Sequence, residues 1–173
     1  KLEKRKNILE AIEGFKKYRK KLKKNSPLLL IAGTGPEVEL IKSLTNSHII
    51  YIGYMDDKSQ IRKLIQESLG LVISSLYDPS PKTINESFAC AKPVLCRNTI
   101  GTSGDLVEHL KNGYIYSPEI KDDILLGFDW IEKNSKNNKV KNFCLNKSKE
   151  WSPQQNAKAV MSIYKEISKK SFY

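Results

Sequence analysis

The chain has 173 residues, of which 39% are hydrophobic and 9% aromatic, and its formal net charge is +11. This length favours a single domain, and no apolar run approaches the roughly 20 residues of a membrane span. The three cysteines show neither a disulfide framework nor metal-ligand spacing, which indicates reduced thiols in a cytoplasmic protein.

Most of the positive charge lies at the start of the chain. Residues 1–24 contain eleven lysine or arginine residues and three glutamates, a net charge of +8. A basic helix can bind nucleic acid or an anionic membrane surface. A solvated lysine-rich face is the simpler interpretation, so we expect no nucleic-acid partner, while peripheral contact with an anionic membrane stays an open alternative.

The first predicted element is an amphipathic helix that begins near Asn7 and ends at Asn25, Ser26 and Pro27. The run LLLIA, residues 28–32, is short and wholly apolar, which predicts a strand buried on both faces, as in parallel sheets. It is followed by Gly-Thr-Gly-Pro, in which Pro36 fits the first turn of a helix over residues 37–44.

Strands and helices then alternate along the chain. Strands are predicted at 48–53, 69–75, 93–96 and 113–117, with helices at 59–68, 81–90 and 102–111. Three more helices are predicted at 119–134, 139–150 and 153–170. This order predicts an α/β fold, a doubly wound, Rossmann-like parallel sheet with helices on both faces and a C-terminal helical segment.

The beginning of the sequence departs from this alternation. Residue 1 lies in a loop that opens a helix, whereas the first helix of a βαβ unit normally follows a strand. We therefore expect residues 1–173 to form one Rossmann-like domain that is a fragment without its first strand.

Three loops lie where ligands gather in such sheets, at the carboxyl ends of strands. They are residues 33–36, 78–81 and 101–104. The helix that Ser80 and Pro81 open should direct the N–H groups of Lys82, Thr83 and Ile84 outward, which favours binding of an anion.

Two acids flank this helix start. Asp78 follows the strand over residues 69–75, and Glu86 lies eight residues later. A carboxylate accepts hydrogen bonds from adjacent sugar hydroxyls, so two acids with a phosphate site between them match a ribose, a diphosphate and a hexose. Alternatively, Asp78 caps a turn and Glu86 merely sits favourably near the helix start. The spacing alone leaves both interpretations open.

Other motifs are missing from the sequence. The turn at residues 33–36 lacks the third glycine of the dinucleotide fingerprint, and there is no Gly-Lys-Ser/Thr phosphate loop. The only histidines, His48 and His109, lie in or beside regular elements and form no recognisable catalytic arrangement. No Asp-x-Asp motif lies near a strand end.

Residues 74–116, SSLYDPSPKTINESFACAKPVLCRNTIGTSGDLVEHLKNGYIY, resemble the donor-binding half of the retaining glycosyltransferases of the GT-B fold, family four. That family shows an acid, seven residues, a glutamate, a helix of small residues and Lys-Pro-Val. Asp78, Glu86 and residues 92–94 fall on this pattern. The resemblance extends to residues 28–37, 49–57 and 150–167 and to the turn Asn112-Gly113.

The resemblance implies roles for these residues. Glu86 would hold the nucleotide ribose, and Asp78, shorter by one methylene than the usual glutamate, would contact the transferred hexose. The base would lie near Tyr54 and Met55.

The cations for the diphosphate follow from the same resemblance. The segment EKRKN is similar to the family's basic loop, and Lys6 matches its lysine. The family's arginine lies where Lys1 now stands, or Arg5 substitutes for it, and Lys82 is a further candidate. Side-chain cations and the helix dipole would then hold the phosphates, and we expect neither a metal nor a separate cofactor.

The implied reaction is transfer of a hexose, with retention, from a UDP- or GDP-hexose to a glycan or lipid-linked acceptor. The acceptor would bind an N-terminal domain absent from this sequence, so the isolated chain should be inactive. Polysaccharide or lipopolysaccharide synthesis at the cytoplasmic membrane face is the expected setting. The alternatives are a non-enzymatic or dehydrogenase-type nucleotide-binding module, a basic domain for nucleic acid or membranes, and a GT-B epimerase or phosphorylase.

Overall fold

The computed structural model describes residues 1–22 and 27–170, so the predicted helix end at Asn25 and Ser26 lies outside the described residues. A short 3₁₀ turn over Lys4–Lys6 precedes the first helix. The helices are α1 Ile8–Lys21, α2 Val38–Ser43, α3 Lys58–Glu67, α4 Lys82–Ala89, α5 Asp123–Asn134, α6 Asn138–Glu150 and α7 Pro153–Lys170. The strands are β1 Leu29–Ala32, β2 Ile49–Gly53, β3 Leu71–Ile73, β4 Val94–Arg97 and β5 Gly113–Tyr116.

All five strands pair in parallel, which confirms the predicted α/β class. β1 pairs with β2, and β4 lies between β3 and β5. The strands form two sheets, of two and three strands, and within residues 1–22 and 27–170 no ladder joins β1 to β3. The expected single sheet is therefore divided between these two strands.

The three-stranded sheet is covered by helices on both faces, as predicted. Along β4, Val94 and Cys96 point to a core cluster that includes residues of α4 and α6. Leu95 points to the opposite cluster, which contains residues of α1 and α5. Alternate side chains point to opposite faces of a strand, so β4 is buried on both.

β1 is less buried than its wholly apolar sequence predicted. Leu30 is 41% exposed, the preceding Leu28 is 51% exposed, and Ile31 is the buried residue of the strand. The prediction of a strand buried on both faces is wrong here: alternate side chains point to opposite faces, so Leu28 and Leu30 lie on an exposed face and Ile31 lies on the buried one.

The helix predicted over residues 102–111 is not formed. Turns and isolated bridges replace it. Gly104 has φ +92°, which lies outside the helical region. The side chain of Asn112 also forms hydrogen bonds with backbone groups of this segment. Its oxygen accepts from the Glu108 N–H at 2.7 Å, and its amide donates to the Leu106 carbonyl at 3.1 Å. Such side-chain bonds compete with helix formation.

The last helix, α7, carries an uncovered apolar stripe. The stripe consists of Val160, Ile163, Tyr164 and Ile167, each more than half exposed. This i, i+3, i+4, i+7 spacing places them on one side of the helix. No residue of α7 among 153–168 is buried.

Candidate functional site

The start of the chain crosses the carboxyl ends of two strands. The Leu2 N–H donates to the Thr34 carbonyl beyond β1 at 2.8 Å, and the Leu76 N–H beyond β3 donates to the Arg5 carbonyl at 2.9 Å. A Cβ at Gly35 would lie 2.2 Å from the Leu2 carbonyl oxygen, so this approach requires glycine. Residues 2–5 thus connect the two sheets at the edge where ligands bind in parallel folds.

This crossing brings two predicted cations to a predicted acid. Lys6 Nζ lies 2.5 Å from Asp78 Oδ2, and Arg5 Nη1 lies 4.0 Å from the same oxygen. Arg5 also donates to the Tyr77 carbonyl at 3.1 Å and to Glu3 at 2.8 Å. Asp78 is only 8% exposed, and a carboxylate so buried needs such partners.

The Asp78 loop is fixed by the loop that follows β4. The Gly101 N–H donates to the Asp78 carbonyl at 2.9 Å. A Cβ at Gly101 would lie 2.5 Å from the Pro79 carbonyl oxygen. Two of the three predicted loops therefore pack directly against each other.

The amino-terminus of α4 corrects one predicted contact. Lys82, Thr83 and Glu86 lie on its exposed side, whereas Ile84 is fully buried. The Ile84 N–H donates to the Pro81 carbonyl at 3.1 Å, so neither its N–H nor its side chain is available to a ligand. The first-turn N–H groups of Lys82 and Thr83 have no intrahelical acceptor.

The two predicted acids differ in their surroundings. Asp78 is buried and paired, whereas Glu86 is exposed and, within the described residues, its carboxylate has no ion pair or hydrogen bond. Glu86 can accept hydrogen bonds from a ligand without losing a protein partner. Lys82, four residues earlier, lies on the same side of α4.

A cavity of about 260 Å³ lies beside the predicted base contacts. Tyr54 and Met55 line it together with Lys1, Ala32, Gly33, Thr34, Ile61 and Leu64. Tyr54 is 66% exposed, so its ring can stack on a planar group. Ile61 and Leu64 were not predicted as site residues, because their helical spacing indicates core packing alone.

The predicted residues thus form three groups along one edge of the fold. Arg5, Lys6 and Asp78 are in direct contact, Tyr54 and Met55 share a cavity with Lys1, and the third group lies on the exposed side of α4. Residues 1–6 connect the first two groups, and α3, which lines the cavity, packs beside α4.

The described part of the chain contains neither a metal-ligand cluster nor a membrane-spanning helix. No group of three or more histidine, cysteine, aspartate or glutamate side chains is arranged to hold a metal ion there. None of the helices described combines the length and apolar character needed to cross a membrane.

A family model described as glycosyl transferases group 1 matches residues 1–166. No curated protein matches the sequence.

Solved structures of low sequence identity share the fold. HepE of Anabaena, solved with UDP-glucose, is 18% identical with a TM-score of 0.74, over 94% of this chain and 47% of that one. A glycosyltransferase from Rickettsia africae is 19% identical with a TM-score of 0.76, over 95% and 45%. The C-terminal domain of LpcC, a glycosyl transferase group 1 family protein from Francisella tularensis, is 20% identical with a TM-score of 0.72, over 87% and 81%. The chain thus spans about half the length of the first two proteins.

Proposed function

The chain belongs to the glycosyl transferases group 1 family, and we propose that it is the donor-binding half of a retaining enzyme that transfers a hexose from a nucleoside diphosphate to a glycan or lipid-linked acceptor. One observation carries the proposal. The buried Asp78 is in contact with Lys6 and Arg5 just before the helix that presents Glu86, whose carboxylate has no partner among the described residues.

Each part of a nucleotide-sugar has a matching group at this edge. Glu86 accepts hydrogen bonds from the ribose, and Asp78 accepts them from the hexose. Lys6, Arg5 and the N–H groups at the start of α4 face the diphosphate. The base lies in the cavity beside Tyr54 and Met55, with a UDP-hexose or a GDP-hexose as the leading donor. HepE, which was solved with UDP-glucose, has a similar fold and supports this choice.

The same groups favour bond cleavage. Negative charge grows on the departing phosphate as the bond to the hexose breaks, and fixed cations and N–H groups stabilise that charge. Lys82 adds a third cation at the first turn of α4. We propose that these groups hold the diphosphate without a metal.

The remainder of the enzyme lies outside this sequence in our proposal. The chain spans about half of the longer similar proteins. Among residues 1–22 and 27–170, β1 and β3 are each paired on one side only, and the apolar stripe of α7 is uncovered. An N-terminal domain would supply the acceptor site, and one further strand would join the two sheets. The isolated chain would then bind donor weakly and transfer nothing. We place the enzyme in the cytoplasm, with peripheral contact at an anionic membrane face through the basic α1.

A thermal-shift panel tests donor binding. UDP, GDP, ADP and CMP are added separately in the presence of EDTA, and we expect one of them to raise the melting temperature, because a ligand that binds only the folded state stabilises it. Glu86→Ala should abolish the rise while the unliganded melting temperature stays the same. Glu39→Ala is the matched control, since Glu39 is an exposed helix residue whose ion pair in the described part of the chain is with Lys42 at the surface.

Two results would refute the proposal. One is the absence of a shift with all four nucleotides at millimolar concentration. The other is a shift that Glu86→Ala leaves intact. If no nucleotide gives a shift in EDTA but one gives a shift when Mg²⁺ replaces EDTA, the metal-free part alone is overturned.

A further inference from the structure

Asn7 joins the Lys6 segment to α1 in a left-handed conformation, with φ 50° and ψ 43°. This conformation is unfavourable for most residues, and asparagine tolerates it better than other non-glycine residues. Lys6 directly precedes this turn, so the direction of its side chain depends on the turn being kept.

The side chain of Asn7 is anchored to Glu10. Its amide donates a hydrogen bond to Glu10 Oε2. Arg97 Nε lies 3.7 Å from that same oxygen. The Arg97 side chain is only 15% exposed, and its buried Nε has no hydrogen-bond partner within the described residues. Glu10 is therefore the counter-charge for Arg97 as well as the acceptor for Asn7.

Tyr116, in β5, lies near Glu10 and Arg97. Its side chain is 1% exposed, and its hydroxyl forms no hydrogen bond of normal geometry in the described structure. Burial, and then the nearby charge of Glu10, raise the pKa of Tyr116. The phenol thus stays protonated and presents a hydrogen-bond donor, not a second negative charge, to Glu10. Arg97 and Tyr116 are the last residues of β4 and β5.

We propose that Glu10 is a positioning residue that ties the Asn7 turn to the ends of β4 and β5 and thereby holds the Lys6 ammonium beside Asp78. Two hydrogen bonds connect this segment to the residues that follow β3. The Lys6 carbonyl accepts from Ser74 Oγ at 3.1 Å, and the Arg5 carbonyl accepts from the Leu76 N–H at 2.9 Å.

α1 itself does not depend on Glu10. Ile12, Phe15 and Tyr18 are buried at 0–4% exposure in the core that α1 shares with α5. Removing the Glu10 carboxylate should therefore leave the helix in place and release only the turn before it.

Hydrogen exchange without ligand tests the anchor directly. In Glu10→Ala we expect the Leu76 amide, which bonds to the Arg5 carbonyl, to exchange at least about tenfold faster, because local opening sets its exchange rate. Glu10→Gln keeps an acceptor oxygen for Asn7 but loses the charge that faces Arg97, so its exchange rate should lie between those of the wild type and Glu10→Ala. Glu13→Ala is the matched control, because Glu13 lies in the same helix and its ion pair is with Lys16 at the surface.

A second variant covers the case in which Glu10→Ala does not fold. Asn7→Gly accepts the left-handed conformation freely but lacks the amide that donates to Glu10, so it should show the same faster exchange at Leu76. The proposal would be overturned if the Leu76 amide exchanged at the wild-type rate in whichever of these two variants folds.

Ligand binding separates positioning from general destabilisation, and this step rests on the proposed function. Using whichever nucleotide stabilises the wild type, we expect Glu10→Ala to weaken binding about tenfold, which is about 1.4 kcal/mol. In a Lys6→Ala background the same substitution should cost nothing further, because Glu10 acts through Lys6. A full tenfold loss in that background would contradict the role. If the wild type binds no nucleotide, the proposed function fails, and the exchange measurement still decides the role of Glu10.

Discussion

β1 and β4 have similar apolar sequences and very different surroundings. In β4, Val94, Leu95 and Cys96 are all fully buried, whereas in β1 only Ile31 is buried and Leu30 is 41% exposed. β4 is paired on both sides and covered by helices on both faces, while β1 is paired with β2 alone among the described residues. Burial of a strand is thus set by its neighbours in the sheet more than by its own composition.

The largest expected contrast comes from removing one leucine in each strand. Leu95→Ala should lower the free energy of unfolding by about 2–5 kcal/mol, because it leaves a cavity in a close-packed core. Leu30→Ala should cost about 1 kcal/mol or less, since much of that side chain already meets solvent. Urea unfolding measures both. Equal losses would show that β1 is as well covered in solution as β4.

Two glycines sharpen the comparison at the loops. A Cβ at Gly101 meets the Pro79 carbonyl at 2.5 Å, whereas a Cβ at Gly53, after β2, meets nothing within 4 Å. Gly101→Ala should cost about 1–3 kcal/mol through overpacking and should speed hydrogen exchange of residues 78–84. Gly53 has φ +83°, so Gly53→Ala should cost about 1–2 kcal/mol in backbone strain without affecting that segment. Matching exchange profiles for the two variants would contradict the close packing of the Asp78 loop.

The smallest expected effect is a pH dependence of the free energy of unfolding. It reports on the β3–β5 half, the part of the fold built on the three-stranded sheet of β3, β4 and β5. Burial raises the pKa of the Cys96 and Cys144 thiols from 9.0 to about 12. The unfolded thiols lose protons above pH 9 while the folded ones keep them, so stability is complete below pH 9 and declines from there toward pH 12. Between pH 8 and 9.5 we expect a loss of less than about 1 kcal/mol for each thiol.

Urea unfolding across this pH range provides the measurement. Cys96→Ala should make the pH dependence shallower, because it removes one of the two buried thiols. An unchanged pH dependence in this variant would mean that Cys96 is not protected from solvent by the β3–β5 half.

Much of the fold was predictable because the signals were local. Apolar runs between glycines and prolines located the strands, and 3.6-residue spacing located the helices. The helix over residues 102–111 was wrongly predicted because Gly104 and the bonds of Asn112 decide that segment, and its apolar spacing does not reveal them. The exposure of one face of β1 was missed because the elements that cover a strand come from distant parts of the sequence.

The candidate site was predictable in part for the same reason. Chain position indicated that Asp78 follows a strand end and that Glu86 lies near a helix start. Lys6 was predicted only through the family resemblance, and the structure brings it into contact with Asp78. The Glu10–Arg97 pair was not predictable, because it depends on how α1 lies across β4. Ile84 is buried because it lies on the side of α4 that packs against the core. The sequence of α4 did not indicate which side this would be.

The contact between Lys6 and Asp78 has a consequence for the selection of ligands. Asp78 is an internal counterion, so any anion that takes Lys6 must first compete with a carboxylate that is already there. A bare phosphate would leave that carboxylate with only the more distant Arg5 guanidinium, 4.0 Å away, and would therefore be disfavoured. A molecule that joins an anionic group to a ring of hydroxyls would give Asp78 new hydrogen-bond donors while its anion binds Lys6. In the proposed site, this contact would discriminate against inorganic anions.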